Sequence, residues 1–197
     1  MRQRALDRFG VGAIVFAGAL AWAAAGAAQT VTGQARAVQA TGLGTTTLAD
    51  TGTLGGTSDA RDATLTIGSV PSVLSGEALR AVTVGWPDQV ASEASLANLT
   101  MTVGGTGISA GVVLARALAV ANTPVTASST VGELAINGIP ITVTGSANQV
   151  ISIPGGWLII NEQIVSASGT TVNALHATVF GVADVVIASA TAGFSSF

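Results

Sequence analysis

The chain of 197 residues has no cysteine, no tyrosine and no lysine, and a single histidine. Without cysteine the fold has no disulfides to lean on, but a chain of this length buries enough surface to stand without disulfides or a structural metal. Without lysine, and with seven arginines against ten carboxylates, there is no basic patch to follow a phosphate backbone, so nucleic acid is excluded as a partner. Anionic membrane surfaces are excluded for the same reason. One histidine with no cysteines or closely spaced carboxylates around it in sequence makes no recognisable reaction centre, and no cofactor is expected. The scarcity of charge, 9% of residues, comes with high hydrophobicity, which is the opposite of the composition of disordered chains.

The N-terminus reads as a secretory signal. Arg2, Arg4 and Arg8 precede an apolar run from Val11 to Ala25, followed by the small residues Gly26, Ala27 and Ala28. This is the order of a basic region, a short apolar helix and a small-x-small cleavage site. The apolar run is shorter than the roughly 20 residues that a bilayer core requires. The expected organisation is a signal peptide at 1–28 and one domain at 29–197, with no stable membrane span after cleavage and an extracellular or cell-surface location. That domain keeps four arginines against nine carboxylates, a net charge of −5.

What is abundant is alanine, valine, threonine, serine and glycine, a mixture that favours pleated strands and turns. The segment from Gln29 to Ala40 is extended and free of the lysines and prolines that blunt an exposed edge, so it is expected as an edge strand, with self-association through that edge as an option. From Thr41 to Asp62 the chain is turn-rich, with a short threonine strand at Thr45 to Leu48. Here Asp50, Asp59 and Asp62 form the one acidic grouping, a candidate calcium loop, although their spacing fits no loop template and turn capping is the favoured account of them. Ala63 to Ile67 alternates as a half-buried strand with Leu65 and Ile67 on one face. Ser69 to Ala81 is the one place where a short helix is expected, with Ser75 as N-cap and Glu77 in its first turn. Trp86 lies in a turn ending at Pro87 and is expected to cover one end of the core.

Further on, Leu96, Leu99, Met101 and Val103 are apolar teeth whose period slips by one residue between the first two, the mark of a bulge. Gly104 to Gly107 is a hairpin turn rather than a phosphate loop, because no lysine follows it. Asn137-Gly138 is the strongest short hairpin signal in the chain. The longest run of strand-type residues, Thr170 to Ala190, is broken at Gly181 and reads as two core strands or one bent strand. Roughly nine to eleven short strands at regular spacing point to an all-β fold, a single antiparallel β-sandwich.

His176 lies in that last run. Strand pairing brings Glu162 and Asp184 within its reach, with Asn173 nearby in sequence. This cluster would serve either as a general base or metal site, or as a hydrogen-bonded group that fixes strand register. No nucleophile motif accompanies it.

Five segments, TTTLADTG at Thr45 to Gly52, QVASEASLANL at Gln89 to Leu99, INGIPITVTG at Ile136 to Gly145, LIINEQ at Leu158 to Gln163 and TVNALHATVFGVADVVIASA at Thr171 to Ala190, resemble the bacterial choice-of-anchor P family. The resemblance runs from about Arg36 to Ala192. It implies an exported protein and points to no particular enzyme activity or ligand. Members of that family carry different C-terminal sorting tails, and only five residues follow Ala192 here, so free secretion or non-covalent attachment is expected.

These readings combine into a secreted, non-catalytic structural or surface-interaction protein of the bacterial envelope or extracellular matrix, acting on a protein or surface partner. The alternative is a calcium- or carbohydrate-binding β-sandwich module, with the acidic loop or Trp86 as its site. An outer-membrane barrel is disfavoured, since its girdles need many aromatics and only Trp86, Trp157, Phe180, Phe194 and Phe197 follow the leader.

Overall fold

The computed structural model describes residues 30–42 and 44–195. The expected leader and its helix lie outside the described residues, as do Gln29 and Phe197. Among the described residues there are thirteen strands and no helix. They form two antiparallel sheets that face one another in a sandwich-like arrangement.

The first sheet contains β1 (Thr30–Thr41), β2 (Thr45–Asp50), β10 (Gln149–Ile153), β11 (Gly156–Ser166), β12 (Gly169–Val179) and β13 (Ala183–Ser195), in the order β10-β11-β12-β13-β1-β2. The second contains β3 (Ala60–Val70), β4 (Leu74–Gly85), β5 (Gln89–Val103), β6 (Thr106–Val120), β7 (Thr126–Gly132) and the two-residue strands β8 (Ala135–Ile136) and β9 (Ile139–Pro140). Its order is β3-β4-β5-β6-β8-β9, with β7 also on β6. The core lies between the sheets, where β1, β12 and β13 pack over β4, β5 and β6. Leu79, Leu96, Leu99, Met101, Ile108, Leu158, Ile160, Leu175 and Ile187 are its largest fully buried side chains, each stabilising the fold by about 2 kcal/mol relative to exposure.

Several expectations need correction. The strand count exceeds nine to eleven, in part because Thr126–Gly132, where no strand was expected, pairs with β6 as β7. No helix forms at Ser69 to Ala81: β3 and β4 make a hairpin there, with Ser75 opposite Ser69 and Glu77 opposite Ile67. Burial of Leu74, Gly76, Leu79 and Ala81 against the core overrides the local capping signal. The segment expected at an edge, β1, is interior, paired with β13 on one side and β2 on the other. β2 covers it from Arg36 to Thr41, and the Thr51 and Leu54 N–H groups donate to the Ala35 and Gly33 carbonyls, so along that stretch it offers no open edge. Finally, the Ala63 to Ile67 strand exists, but Leu65 is 39% and Ile67 71% exposed. The strand is an edge strand, and the two residues do not share a face: Leu65 stands opposite the buried Leu79, while Ile67 stands opposite the exposed Glu77.

A second feature governs which side chains share a face. In β12 the inward residues are Thr170, Val172 and Ala174, then Leu175, Ala177 and Val179, while Asn173 is buried on the other face. The inward parity slips by one residue. The same slip occurs at Ala37 and Val38 in β1, at Ile160 and Asn161 in β11 and at Ile187 and Ala188 in β13. The ladders keep a constant register across this level, pairing Glu162, Asn173, Ser189 and Arg36 on one side of it and Ile160, Leu175, Ile187 and Val38 on the other. Every strand takes up the extra residue, so alignment is kept while the faces exchange. Ala49, Asn161 and Ala188, on alternate strands at this level, have positive φ of 47°, 52° and 52°. The facing sheet has a matching slip, with Ala78 and Asn98 at φ 48° and 50°. The bulge expected between Leu96 and Leu99 is part of it.

Candidate functional site

On the outer face of the first sheet, a regular strand would place Asn173 and His176 on opposite sides, because side chains alternate. The parity slip between them puts both outward. Glu162, on β11, stands opposite Asn173. Its Oε2 accepts a hydrogen bond from Asn173 Nδ2 at 2.6 Å and lies 2.8 Å from His176 Nδ1. On the other side of β12, His176 Nε2 lies 3.0 Å from Asp184 Oδ2 on β13. Thr178 Oγ1 donates to the same Asp184 oxygen at 2.9 Å and lies 3.3 Å from His176 Nε2. The structure therefore brings together all four residues of the polar cluster expected from the sequence, and adds Thr178.

The electrostatics follow from this geometry. The hydrogen bond to Glu162 pushes the His176 pKa up, burial opposes it, and the contact with Asp184 adds to the rise, from the usual 6.5 to about 9. Burial pushes the Glu162 carboxyl up, but the hydrogen bonds from His176 and Asn173 outweigh this and hold it below the usual value. At neutral pH the imidazole is thus a cation donating through both nitrogens to two carboxylates. Such a histidine has no free nitrogen with which to accept a proton, and the Thr178 hydroxyl is already committed to Asp184. The arrangement ties β11, β12 and β13 together by charge and has no poised nucleophile or base.

The same face carries a polar row across five strands. Glu162, Asn173, Ser189, Arg36 and Asp50 stand directly opposite one another in turn. At its far end Arg36 Nε donates to Asp50 Oδ2 at 2.8 Å and Gln34 Nε2 donates to Asp50 Oδ1 at 3.1 Å. Arg36 Nη1 also donates to Gln39. Burial raises the Asp50 pKa, but the Gly52 backbone N–H, Gln34 and Arg36 together bring it below the ordinary carboxylate value.

The acidic loop does not come together as a loop. Asp50 ends β2 and caps Gly52 N–H at 2.9 Å. Asp59 accepts from Gly55 N–H at 2.7 Å and from Arg61 Nε at 2.8 Å, and these two partners lower its pKa. Asp62 is an exposed residue within β3, opposite Val82. Among the described residues, no group of three or more His, Cys, Asp or Glu is arranged to hold a metal ion. Trp86, 39% exposed, sits in the β4–β5 turn, where its N–H donates to the Gln89 carbonyl.

Sequence reasoning overlooked a second corner of the same face. Trp157 on β11 and Phe180 in the β12–β13 turn meet edge to face, with ring centroids 4.8 Å apart and planes at 86°. Trp157 is directly opposite Thr178, which is opposite Asp184, which is opposite Thr41. The usable signal was the outward period of β11, which places Trp157 and Ile159 on the outer face. On the outer face of the other sheet a shallow hollow of about 470 Å³ is lined by Val82, Val84, Ala91 and Leu118, with an Arg116–Glu93 ion pair at 2.6 Å. No helix among the described residues is long and apolar enough to cross a membrane. Comparison with family models, curated proteins and solved structures finds no match to this chain, so the site is interpreted from its geometry.

Proposed function

We propose that this chain is an exported, non-catalytic β-sandwich module that acts at the bacterial envelope or in the extracellular matrix as a structural or surface-interaction protein. The observation that carries this reading is the closed state of the His176 cluster. The one imidazole of the chain is held as a cation between two carboxylates, and its hydrogen-bonding capacity is spent on β11, β12 and β13. Such a group holds the outer face of a sheet in a fixed shape, which suits a surface that is recognised rather than one that reacts. The leader-like sequence at 1–28 and the resemblance to the choice-of-anchor P family support export.

The test is to fractionate a producing culture into medium, envelope and cytosol and to sequence the N-terminus of the exported form. The expected result is material in the medium or envelope that begins within two residues of Gln29. Cytosolic protein that begins at Met1 contradicts the reading. Of the two ligand alternatives, carbohydrate is favoured by a specific observation, the exposed Trp157–Phe180 pair beside Thr178 and Asp184. For calcium, Asp50 and Asp59 are engaged by cations and turn N–H groups, and Asp62 stands apart from both.

A further inference from the structure

We infer that the outer edge of the first sheet, at the β12–β13 turn, is a binding site for a neutral oligosaccharide. The inference rests on the surface-module reading above and assigns it a ligand class.

The site is built from one row of opposed residues: Trp157 on β11, Thr178 on β12, Asp184 on β13, Thr41 on β1 and Thr45 on β2. All five side chains share the outer face. The row begins with an indole and continues with hydroxyl, carboxylate, hydroxyl and hydroxyl, which suits a chain of sugar rings, each with apolar C–H faces and an equatorial fringe of hydroxyls. At the usual spacing between strands the row spans roughly 19 Å, enough for several sugar units rather than one. A cavity of about 390 Å³ lies at its middle, lined by Thr41, Thr178, Phe180, Val182 and Asp184 among others, within the size range of small-ligand sites.

Three properties point to carbohydrate. Phe180 is 61% exposed, yet the edge contact with Trp157 and the hydrogen bond from its own N–H to the Gly155 carbonyl hold it in place. An aromatic both exposed and fixed offers a stacking platform with little ordering cost. Asp184 has a half-exposed side chain whose contacts to His176 and Thr178 both use Oδ2, so Oδ1 is available to accept charge-assisted hydrogen bonds from sugar hydroxyls. Beneath it, His176 fixes the carboxylate as a positioning residue and does not touch the ligand. Two of the four described Trp and Phe meet here, and Trp157 stands opposite Thr178, whose hydroxyl lies 3.3 Å from His176 Nε2. The negative carboxylate and the acidic balance of the chain disfavour anionic glycans, so the assigned class is neutral.

The experiment uses the full chain as exported by its producer. Neutral glucose-, mannose- and galactose-based oligosaccharides of three to six units are titrated against it by calorimetry, followed by Phe180→Ala, Trp157→Ala and, as a control at an exposed apolar position of the other sheet, Ile139→Ala. The expected result is saturable binding of at least one neutral series. Phe180→Ala and Trp157→Ala weaken it tenfold or more, Ile139→Ala leaves it unchanged, and Phe180→Ala keeps the parent melting temperature. Absence of binding by every neutral series at millimolar ligand overturns the assignment, as does binding that survives both aromatic substitutions. If the protein is found in the envelope or medium yet binds none of these sugars, the glycan site is wrong and the surface-module reading stands. If it is cytosolic, that reading fails independently.

Discussion

Asn173 and His176, three residues apart on β12, face the same side of their sheet and contact the same oxygen of Glu162, at 2.6 Å and 2.8 Å. In an uninterrupted strand that separation places side chains on opposite faces. The one-residue slip at Ala174 and Leu175 is what assembles the cluster, and the slip survives because the neighbouring strands make it at the same level.

Removing Asn173 therefore weakens the cluster without dismantling it. Asn173→Ala leaves Glu162 with His176 as its remaining partner and opens a small gap at a buried position. The expected loss is about 1–2 kcal/mol of unfolding free energy, read by denaturant titration. A loss below 0.3 kcal/mol, on the order of measurement error, would mean that this hydrogen bond carries nothing.

The cluster also sets how stability depends on pH. The folded-state pKa of His176 is raised to about 9 from 6.5, so its stabilising contribution is fully present below about pH 6.5 and is lost as pH rises through about 9. Glu162 is held below its usual value of 4.5, so its contribution is present above that pH and is lost on acidification. Melting temperature should be flat near pH 5–6.5 and fall towards pH 9. Because Asp184 is half exposed, the alkaline loss is on the order of 1–2 kcal/mol after screening. His176→Gln should be less stable at pH 6 and should lack the alkaline fall. A variant with the parent's alkaline profile would assign that profile to another group.

Much of this architecture was legible in the residues, and the exceptions have physical causes. The Gly104-Gly105 and Asn137-Gly138 turns were readable because their φ of 50° to 79° suits glycine and asparagine. The cluster of His176, Glu162, Asn173 and Asp184 was readable because antiparallel pairing around Gly169 and Gly181 brings those positions close. The slip that turns Asn173 and His176 to one face was not, since it runs through Ala37, Ala49, Ala174 and Ala188, residues equally at home on either face. At Ser69 to Ala81 a plausible N-cap at Ser75, with Glu77 in the turn after it, suggested helix, while the neighbouring strand decided otherwise. Leu65 and Ile67 misled because alternation assumes an unbroken strand, whereas the slip opposite Ala78 turns them to different faces. The position of β1 depends on β13, contributed from the other end of the chain.

The slip itself makes a backbone prediction. Ala188 is fully buried at φ 52°, a conformation that costs an L-residue about 1 kcal/mol and a β-branched one more. Ala188→Gly should change stability by less than about 1 kcal/mol, because relief of strain offsets the added chain entropy. Ala188→Val should cost about 3 kcal/mol or more, from strain and overpacking together. Equal melting temperatures for the two variants would show that the strand is regular at this level.

A glycine beside the site gives a sharper steric test. A Cβ at Gly156 would run into the Thr178 carbonyl on the paired strand, and backbone there cannot swing aside as a side chain can. Gly156→Ala should cost about 2–3 kcal/mol or more, and amide exchange should quicken selectively in β11 and β12. A variant with parent-like melting and exchange would contradict the close approach of those two strands.

The account holds that His176 is a charged staple between Glu162 and Asp184, closed to chemistry. The most direct measurement is an NMR titration of the single imidazole in the folded exported protein. The account predicts an imidazole protonated on both nitrogens at pH 7 that titrates at about 9; an apparent pKa at or below 6.5, with the ring neutral at pH 7, would contradict it.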